Sequence, residues 1–382
     1  MTVRELIARL VAFDTVSRNS NLALIDFIRD YLDGFGIRSS SITNETGDKA
    51  NLYATIGPPV AGGVVLSGHT DVVPVDGQPW SSDPFSVVER EGRLYGRGTC
   101  DMKSFCAIAL ALVPAMDHLQ KPIHLAFSYD EEIGCHGAPS LIRALLENVP
   151  RPAAVIVGEP TTMQLVTAHK GITTLRTRVL GHEAHSSQTH RGVSAVMTSA
   201  RLIVFLDDLA RRRQEIGPRD SGFEPGFTTV HVGVIRGGTA VNIISRHCEF
   251  IWDIRNLPGD EPQDLLAQFQ DFCRHTVEPD MHAIAPETGI QTEIFASAPA
   301  LRHEPESAAA RLVKTLLGNA ATYKVPYAAE AGQFQEAGLP AIICGPGSID
   351  QAHQPDEFIT LEQVEAGMQF IRRLIEHLSS GI

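Results

Sequence analysis

Short apolar runs alternate with amphipathic segments through the first half of the chain, and this alternation constrains the fold more than any other feature. Val64–Leu66, Ile123–Phe127 and Val155–Val157 have the length and residue types of buried strands. Between them, helical patterns run from Asp101 to about Met116 and through 141–146. Strands and helices in turn predict an α/β layer with a largely parallel sheet.

Histidine and carboxylate side chains follow directly after these predicted strands. They are His69 and Asp71 after the first strand, Glu131 and Glu132 after the second, Glu159 after the third, and Asp101 after the glycine-punctuated segment Arg93–Thr99. In parallel sheets, ligands gather beyond the carboxyl ends of the strands. His69 and Asp71 are two residues apart in an extended segment, so their side chains point the same way. Asp71 is therefore free to hold the second ring nitrogen of His69.

With His353 nearer the C-terminus, the set supplies the ligands that two divalent ions need. One carboxylate would bridge the ions, each ion would keep one histidine and one further carboxylate, and one acidic side chain would remain as general base. Mixed nitrogen and oxygen donors without thiolate favour zinc, although cobalt or manganese also fits. Taken singly, Asp101 could cap a helix, Glu131 and Glu132 could form a solvated turn, and His353 could be a surface residue. Their joint occurrence at predicted strand ends favours the metal site.

Composition argues against several other classes of protein. The net charge of −13 does not suit nucleic-acid binding, which rests on clustered lysine and arginine. The six cysteines form no Cys-x-x-Cys pair and are expected to be reduced thiols. The N-terminal segment carries charge where a signal peptide is apolar, and no run approaches the roughly 18 apolar residues of a membrane span. We therefore expect a cytoplasmic protein with a small-molecule substrate and no membrane or nucleic-acid partner.

The pattern changes from about Gly171. The elements predicted from there are a strand at 173–180, a helix at 195–210, strands at 228–235 and 248–254, a helix at 264–275 and a strand at 291–296. This βαββαβ order is typical of a ferredoxin-like α+β domain. The last part returns to α/β elements, with a helix at 308–317, a strand at 341–344 and a helix at 361–378. The predicted domains are a catalytic domain in two parts, 1–172 and 298–382, and an insert at 173–297.

Five segments resemble, in the same order, the cocatalytic dizinc deacylases and carboxypeptidases. This family includes aminoacylases, succinyl-diaminopimelate desuccinylase, glutamate carboxypeptidases and acetylornithine deacetylase. The segments are Ser67–Asp71, Gly96–Lys103, Asp130–Gly134, Gly158–Pro160 and Gln351–Glu357. The resemblance covers nearly the whole chain and implies a zinc-peptidase-like catalytic domain with an inserted lid and dimerisation domain.

The resemblance also implies a role for each residue of the site. Asp101 would bridge the two ions, His69 and Glu159 would complete one of them, and Glu132 and His353 would complete the other. Glu131 would act as general base: it would take a proton from the attacking water and pass it to the departing amine.

Three residues of the insert match lid residues of the family. The segment Gly181–Ser187 resembles the one whose histidine reaches the active site of the partner subunit, and the match falls on His185. Its implied role is to donate a hydrogen bond to the oxyanion of the tetrahedral intermediate. The chain departs from the family at 188–190, where acidic and proline residues are expected. Asn242 and Arg255 match residues that hold the substrate carboxylate, which a guanidinium binds through two parallel hydrogen bonds. A homodimer with shared sites is implied.

Within the family, the segments 327–338 and 344–357 are most similar to the acetylornithine deacetylases. This similarity predicts hydrolysis of N2-acetyl-L-ornithine to ornithine and acetate, a step of arginine biosynthesis, with Glu330 pairing with the free ammonium group of the substrate. A related N-acyl-amino-acid deacylase, desuccinylase or metallo-carboxypeptidase is the alternative. From another class, a non-catalytic metal-binding or amino-acid-binding protein of the same fold also remains, although the presence of Glu131 as a base argues against it.

Overall fold

Fifteen strands and ten α-helices form the regular structure of residues 1–318 and 320–380, which this computed structural model describes. The strands are β1 (Ser39–Thr43), β2 (Ala50–Ile56), β3 (Val64–His69), β4 (Val88–Arg90), β5 (Arg93–Tyr95), β6 (Ile123–Ser128), β7 (Ala154–Val157), β8 (Leu165–His169), β9 (Ile172–Leu180), β10 (Thr229–Gly237), β11 (His247–Arg255), β12 (Gly289–Ala298), β13 (Thr322–Val325), β14 (Ala341–Ile343) and β15 (Phe358–Thr360). The helices are α1 (Val3–Val11), α2 (Leu22–Asp33), α3 (Lys103–Ala111), α4 (Ala138–Asn148), α5 (Ala195–Ile216), α6 (Pro262–Phe272), α7 (Glu278–His282), α8 (Ala308–Leu317), α9 (Ala331–Glu336) and α10 (Leu361–Ser379).

The chain divides into two units, and the first is built on an eight-stranded sheet. This unit comprises Met1–Ala168, Leu301–Lys324 and the segment from Ala329 onward. Its strand order is β1-β2-β6-β3-β7-β14-β8-β13. The strands β6, β3, β7 and β14 run parallel, whereas β1, β2 and β8 pair antiparallel with their neighbours. The predicted α/β fold with a mixed, largely parallel sheet is confirmed.

The parallel strands at the centre of this sheet are buried on both faces. Every residue of β3 and of β6 is buried, as expected where helices cover a parallel sheet on both sides. The strand predicted over 64–66 therefore continues to His69. This extension fixes the histidine within the sheet rather than in a loop.

Helix α3 is shorter than the sequence pattern predicts. The helical pattern runs to about Met116, but α3 ends at Ala111 and a single 3-10 turn follows at Val113–Ala115. Pro114 explains the difference, because proline has no backbone N–H to continue the α-helical bonds. The helix is buried from Lys103 to Leu110, so the loop that precedes it is held firmly at the sheet edge.

A small three-stranded sheet in the first unit was not predicted. Its order is β15-β5-β4, with β5 antiparallel to both neighbours. Strand β5 lies inside the segment that the sequence analysis interpreted only as glycine-punctuated. The pairing of Phe358–Thr360 with Arg93–Tyr95 brings the chain after His353 beside the chain before Asp101.

The second unit comprises His169–Ala300 and Val325–Ala328. Its four-stranded antiparallel sheet has the order β10-β11-β9-β12, and its core contains Leu175, Phe250, Trp252 and Phe269. With α5 after β9 and α6 after β11, the predicted βαββαβ order is confirmed. The range predicted for the insert, 173–297, lies inside this unit, and its role as a lid and dimerisation domain stays a prediction.

None of the helices in residues 1–318 and 320–380 combines the length and the apolar character that a bilayer crossing requires.

Gly158 follows β7 directly before Glu159, and the ring of Phe105 on α3 closes over it. A Cβ atom at this position would lie 2.2 Å from two ring carbons. Since a close-packed core has no room into which the ring can move, we expect Gly158→Ala to lower the free energy of unfolding by about 1–3 kcal/mol. The measurement is the midpoint of urea-induced unfolding. Gly233→Ala is the control, because its Cβ would lie 3.7 Å from the nearest atom, on His231. Equal midpoints for the two variants would contradict this account.

Candidate metal centre

His69, the last residue of β3, is buried and faces two carboxylates. Its Nε2 atom lies 3.0 Å from Asp101 Oδ1 and 3.8 Å from Glu159 Oε1. Its Nδ1 atom lies 2.9 Å from the backbone carbonyl oxygen of Asp71 and 3.5 Å from the Asp71 carboxylate. A proton on Nδ1 therefore donates to that carbonyl, which leaves the Nε2 lone pair free for an ion. The backbone carbonyl of Asp71 makes the shorter contact with the ring, and the Asp71 carboxylate, predicted to hold this nitrogen, lies within 3.5 Å of the same atom.

Asp101 directs its two oxygens at two different sets of side chains. Oδ1 faces His69, whereas Oδ2 lies 3.4 Å from Nε2 of His353. The same histidine nitrogen lies 3.0 Å from Glu132 Oε2. Helix α3 has Met102 as its N-cap and no side-chain capping bond, so Asp101 does not cap this helix. A carboxylate shared between two ligand sets has the arrangement that a bridging ligand needs.

The ligand atoms are close enough to hold metal ions. Atoms of His69, Glu131 and Glu159 lie within 4.8 Å of one another, and so do atoms of His69, Asp101 and Glu132. The Glu132 side chain is only 6% exposed, which excludes a solvated acidic turn. The His353 side chain is half exposed, and its backbone adopts a left-handed φ of 64°, which is uncommon for a residue other than glycine.

The Asp71 carboxylate holds the segment that carries the two adjacent glutamates. Oδ1 accepts a hydrogen bond from the backbone N–H of Glu131 at 3.1 Å, and Oδ2 accepts one from that of Glu132 at 3.3 Å. Oδ2 also accepts a 2.7 Å bond from the Ser17 hydroxyl. One further contact, from the Cys135 thiol to Glu131 Oε1 at 3.3 Å, reaches the side chain of Glu131. Asp71 thus links the His69 strand to Glu131 and Glu132 through the main chain.

Burial and mutual repulsion dominate the electrostatics of the cluster. Burial raises the pKa of Glu131 and the pKa of Glu159 well above the ordinary range of a glutamate. Burial also raises the pKa of Glu132, to about 7. The negative charge of Asp101 adds to the rise in all three. Burial would also raise the pKa of Asp101, but hydrogen bonds to His353 and His69 hold it below its usual value. For His69, burial alone would lower the pKa, yet contacts with Asp101, Asp71 and Glu159 raise it well above the ordinary value.

Two buried carboxylate oxygens of the cluster lack a hydrogen-bond partner within the described part of the chain. They are Oε1 of Glu132 and Oε1 of Glu159. Buried polar atoms are nearly always hydrogen-bonded, so a buried oxygen without a hydrogen bond indicates a binding partner such as an ion or a water molecule. Divalent cations would bind both oxygens and would offset the repulsion among the negatively charged carboxylates. The donor set therefore fits bound metal ions.

His185 and Asn242 lie side by side in the second unit. The backbone N–H of Ser186 donates to the Asn242 carbonyl at 3.0 Å, and His185 pairs with Ile243 in an isolated antiparallel bridge. The exposed His185 ring accepts a bond at Nδ1 from the backbone N–H of Ser187 at 3.2 Å. An accepting Nδ1 places the proton of a neutral imidazole on Nε2. The ring is thus in the tautomer that a hydrogen-bond donor to an oxyanion requires.

Arg255 is far from this pair. It is the last residue of β11, whereas the loop of Asn242 precedes His247, the first residue of that strand. The eight steps from His247 to Arg255, at about 3.3 Å each, put the two ends about 26 Å apart. The structure therefore does not bring Arg255 together with His185 and Asn242 within one chain.

Glu330, predicted to meet the ammonium group of the substrate, is buried in the first unit. It is 1% exposed, and its Oε2 accepts a 3.3 Å bond from the hydroxyl of Ser67 on β3. Its Oε1 atom has no hydrogen-bond partner among the described residues. Burial raises the pKa of Glu330 to about 7. The carboxylate lies beside the strand of His69 rather than on an open surface.

Comparison with known proteins gives the family. Residues 65–377 match the model of peptidase family M20/M25/M40. The chain belongs to this family. An acetylornithine deacetylase from Proteus mirabilis is 37% identical over 381 residues, which cover 98% of this chain and 95% of that protein. The resemblance drawn from the sequence segments is thereby confirmed.

Solved structures of M20 proteins share the fold. A metallo-carboxypeptidase from Sulfolobus solfataricus matches with a TM-score of 0.77 at 16% identity, covering 99% of both chains. A dinuclear metal-binding M20 peptidase from Bacillus subtilis matches with a TM-score of 0.63 at 15% identity, covering 100% of this chain and 98% of that one. At such low identity these matches establish the fold alone.

The buried carboxyl of Glu330 predicts a pH dependence of stability in the chelator-treated protein. Its pKa is about 7 in the folded state against 4.5 ordinarily, so the folded state binds the proton more tightly than the unfolded state. Stability from this group is complete below about pH 4.5 and is lost as the pH rises through about 7. We expect Glu330→Gln to remove this loss and to be more stable than wild type at pH 8 by roughly 1–3 kcal/mol.

The measurement is urea unfolding at pH 5 and pH 8 in the presence of EDTA. Glu336→Gln, an exposed glutamate at the end of the same helix α9, is the control and should follow wild type at both pH values. A constant difference between Glu330→Gln and wild type across this range would contradict the prediction.

Proposed function

We propose that this protein is a two-metal amidohydrolase that releases acetate from N2-acetyl-L-ornithine. The observation that carries the proposal is the division of the Asp101 carboxylate between His69 on one side and His353 with Glu132 on the other. Similarity to the Proteus mirabilis acetylornithine deacetylase over nearly the full chain supports the choice of substrate.

The residues of the site divide the work of amide hydrolysis. His69, Asp101 and Glu159 would hold one ion, and Asp101, Glu132 and His353 the other. Bound divalent ions lower the pKa of water toward about 7 and polarise an amide carbonyl. Glu131 takes the proton from the water and returns it to the departing amine. The Asp71 carboxylate accepts a hydrogen bond from the backbone N–H of Glu131 and so keeps this residue in place. The base therefore approaches the water from a fixed direction.

Zinc is our proposed metal, with cobalt as the substitute that the same nitrogen and oxygen donors accept. Release of ornithine from its N-acetyl form places the reaction in arginine biosynthesis. All six cysteines are free thiols, which suits the reducing cytoplasm.

A homodimer, formed through the second unit, would complete the site. This unit exposes apolar side chains on α5, on the edge strand β10 and in the Asn242 loop: Met197, Val204, Ile235 and Val241, the last of which is 99% exposed. Exposed apolar side chains and an unpaired strand edge are features of protein interfaces. In the proposed dimer, His185 and Asn242 serve the site of the partner chain, and Arg255 binds the substrate carboxylate.

The proposed base gives the first test of function. We expect Glu131→Gln to retain two zinc equivalents by metal analysis and to release acetate from N2-acetyl-L-ornithine at least 100-fold more slowly than wild type, because the water loses its proton acceptor. Glu147→Gln, an exposed glutamate on α4, should match wild type. Full turnover by Glu131→Gln would support a non-catalytic role for this residue and contradict the mechanism.

Substrate choice is tested with the same wild-type protein loaded with zinc or cobalt. We expect acetate release from N2-acetyl-L-ornithine to exceed hydrolysis of an N-succinyl amino acid and of a dipeptide by at least tenfold in kcat/KM. The reason is the full-length similarity to an acetylornithine deacetylase. No acetate release together with activity on the dipeptide would replace the proposal by a metallo-carboxypeptidase.

Site sharing predicts complementation between two inactive chains. His185→Ala lacks the donor to the oxyanion and Glu131→Gln lacks the base, so each homodimer should have little activity. A mixed dimer contains one site with both intact residues, and equimolar mixing should restore up to about a quarter of wild-type activity per total chain, the statistical share for random exchange of two chains. Sedimentation should show a dimer, and no gain on mixing after chain exchange would contradict shared sites.

A further inference from the structure

Glu357 and Arg97 form a buried ion pair behind the proposed metal centre. Oε2 of Glu357 lies 2.6 Å from Nη1 of Arg97, and the exposed fraction of each side chain is 1% or less. Both residues lie in segments that resemble the family, Gly96–Lys103 and Gln351–Glu357. An ion pair this deeply buried persists only where its geometry and its further hydrogen bonds compensate the loss of hydration.

The Glu357 carboxylate collects the backbone N–H groups that precede the bridging ligand. Oε1 accepts from Cys100 at 2.7 Å, from Asp101 at 3.0 Å and from Gly98 at 3.1 Å, and Oε2 also lies 3.1 Å from the Gly98 nitrogen. A carboxylate that accepts several N–H bonds makes charge-assisted contacts of high strength. The main chain at Asp101 is therefore fixed by a residue 256 positions away in the sequence.

Arg97 extends the same network to the main chain at His353. Its Nη1 donates to the carbonyl of Gln354 at 3.3 Å, and its Nη2 donates to Oε1 of Gln78 at 2.6 Å. Gln78 in turn donates through Nε2 to the carbonyl of His353 at 2.9 Å. His353 has a left-handed backbone, which costs free energy for a residue other than glycine and needs such support.

We propose that the Arg97–Glu357 pair, with Gln78, is a positioning unit that sets the affinity of the second metal position, formed by Asp101, Glu132 and His353, without contacting the ion. The inference rests on the proposed two-metal function. The first position has three proposed ligands. Two of them, His69 and Glu159, lie at the ends of β3 and β7 outside this network, so it shares only Asp101 with the unit. Of the three ligands at the second position, the unit places two. Loosening the unit should therefore weaken binding at the second position more than at the first.

Two variants test this inference, and both leave the proposed ligands intact. Glu357→Gln replaces one of the two acceptor oxygens by an NH2 group, which can only donate. That NH2 group would face either Arg97 or the backbone N–H groups, all of which are donors, so the network breaks at its centre. Gln78→Ala removes the link to His353 and the Gln78 oxygen that accepts from Arg97 and Trp80, but it leaves the Arg97–Glu357 pair intact. Gln78 lies in a partly exposed loop, so this variant is expected to fold even if the core variant does not. In either variant, the pairing of β15 with β5 keeps the chain after His353 beside the chain before Asp101. Glu362→Gln, an exposed glutamate in the first turn of α10, is the matched control.

The measurement is calorimetric titration of chelator-treated protein with zinc, together with metal analysis after gel filtration. We expect wild type and Glu362→Gln to bind two equivalents. Glu357→Gln should bind the first equivalent within about threefold of wild type and the second 10–100-fold more weakly, the usual range for residues that orient metal ligands. Gln78→Ala should show the same selectivity with a smaller loss. Circular dichroism confirms that each variant is folded.

Each outcome decides the inference. Two unchanged affinities in Gln78→Ala and Glu357→Gln, or equal weakening of both equivalents, would overturn it. If Glu357→Gln does not fold, Gln78→Ala decides alone. Wild-type protein that binds no zinc would overturn the proposed function and this inference together, whereas two equivalents in wild type with no selective loss in the variants would overturn the inference only.

Discussion

The burial of several carboxylates at one edge of a sheet is the constraint on which the first unit depends. Removing a charged group from water is costly unless it is paired or hydrogen-bonded. The chain meets this cost differently for each group: Asp71 accepts backbone N–H groups, Asp101 faces two histidines, and Glu357 pairs with Arg97. Glu132 and Glu159 each keep one buried oxygen without a hydrogen-bond partner in the described residues. Those two orphan oxygens favour a cation site at this edge over a network that is complete without ions.

The sheet topology explains how candidate ligands from distant parts of the sequence meet. Strands β6, β3 and β7 are neighbours and run parallel. The residues at or just after their ends therefore reach one edge: Glu131 and Glu132, His69, and Glu159. Asp101 and His353 follow no strand of this sheet. They arrive through loops that the small β15–β5–β4 sheet and the Arg97–Glu357 pair join. The first group of candidate ligands is therefore fixed by the main sheet, and the second depends on the small sheet and on side-chain contacts.

This difference also separates what could be predicted from sequence from what could not. Buried strands have a recognisable composition, and the residues after them mark the sheet edge, so the position of the site was predictable. Three-residue strands such as β5 and β15 have no period to detect, and Pro114 ends α3 where the apolar pattern continues. The orientation of Asp71 depends on how the chain turns after His69. Glu357 acquires its role only from N–H groups more than 250 residues away, and no local pattern carries that information.

The second unit adds a requirement that the metal centre alone does not impose, namely a second chain. His185 and Asn242 belong to one end of its sheet and Arg255 to the other, about 26 Å away along β11. A substrate the size of one acylated amino acid spans only a fraction of that distance, because even a fully extended residue covers about 3.5 Å. A site that uses all three residues must then take them from two chains. Under the proposed function, dimerisation is part of catalysis rather than an addition to it. The exposed apolar side chains of α5 and β10 are therefore expected to be as necessary for turnover as the ligands themselves.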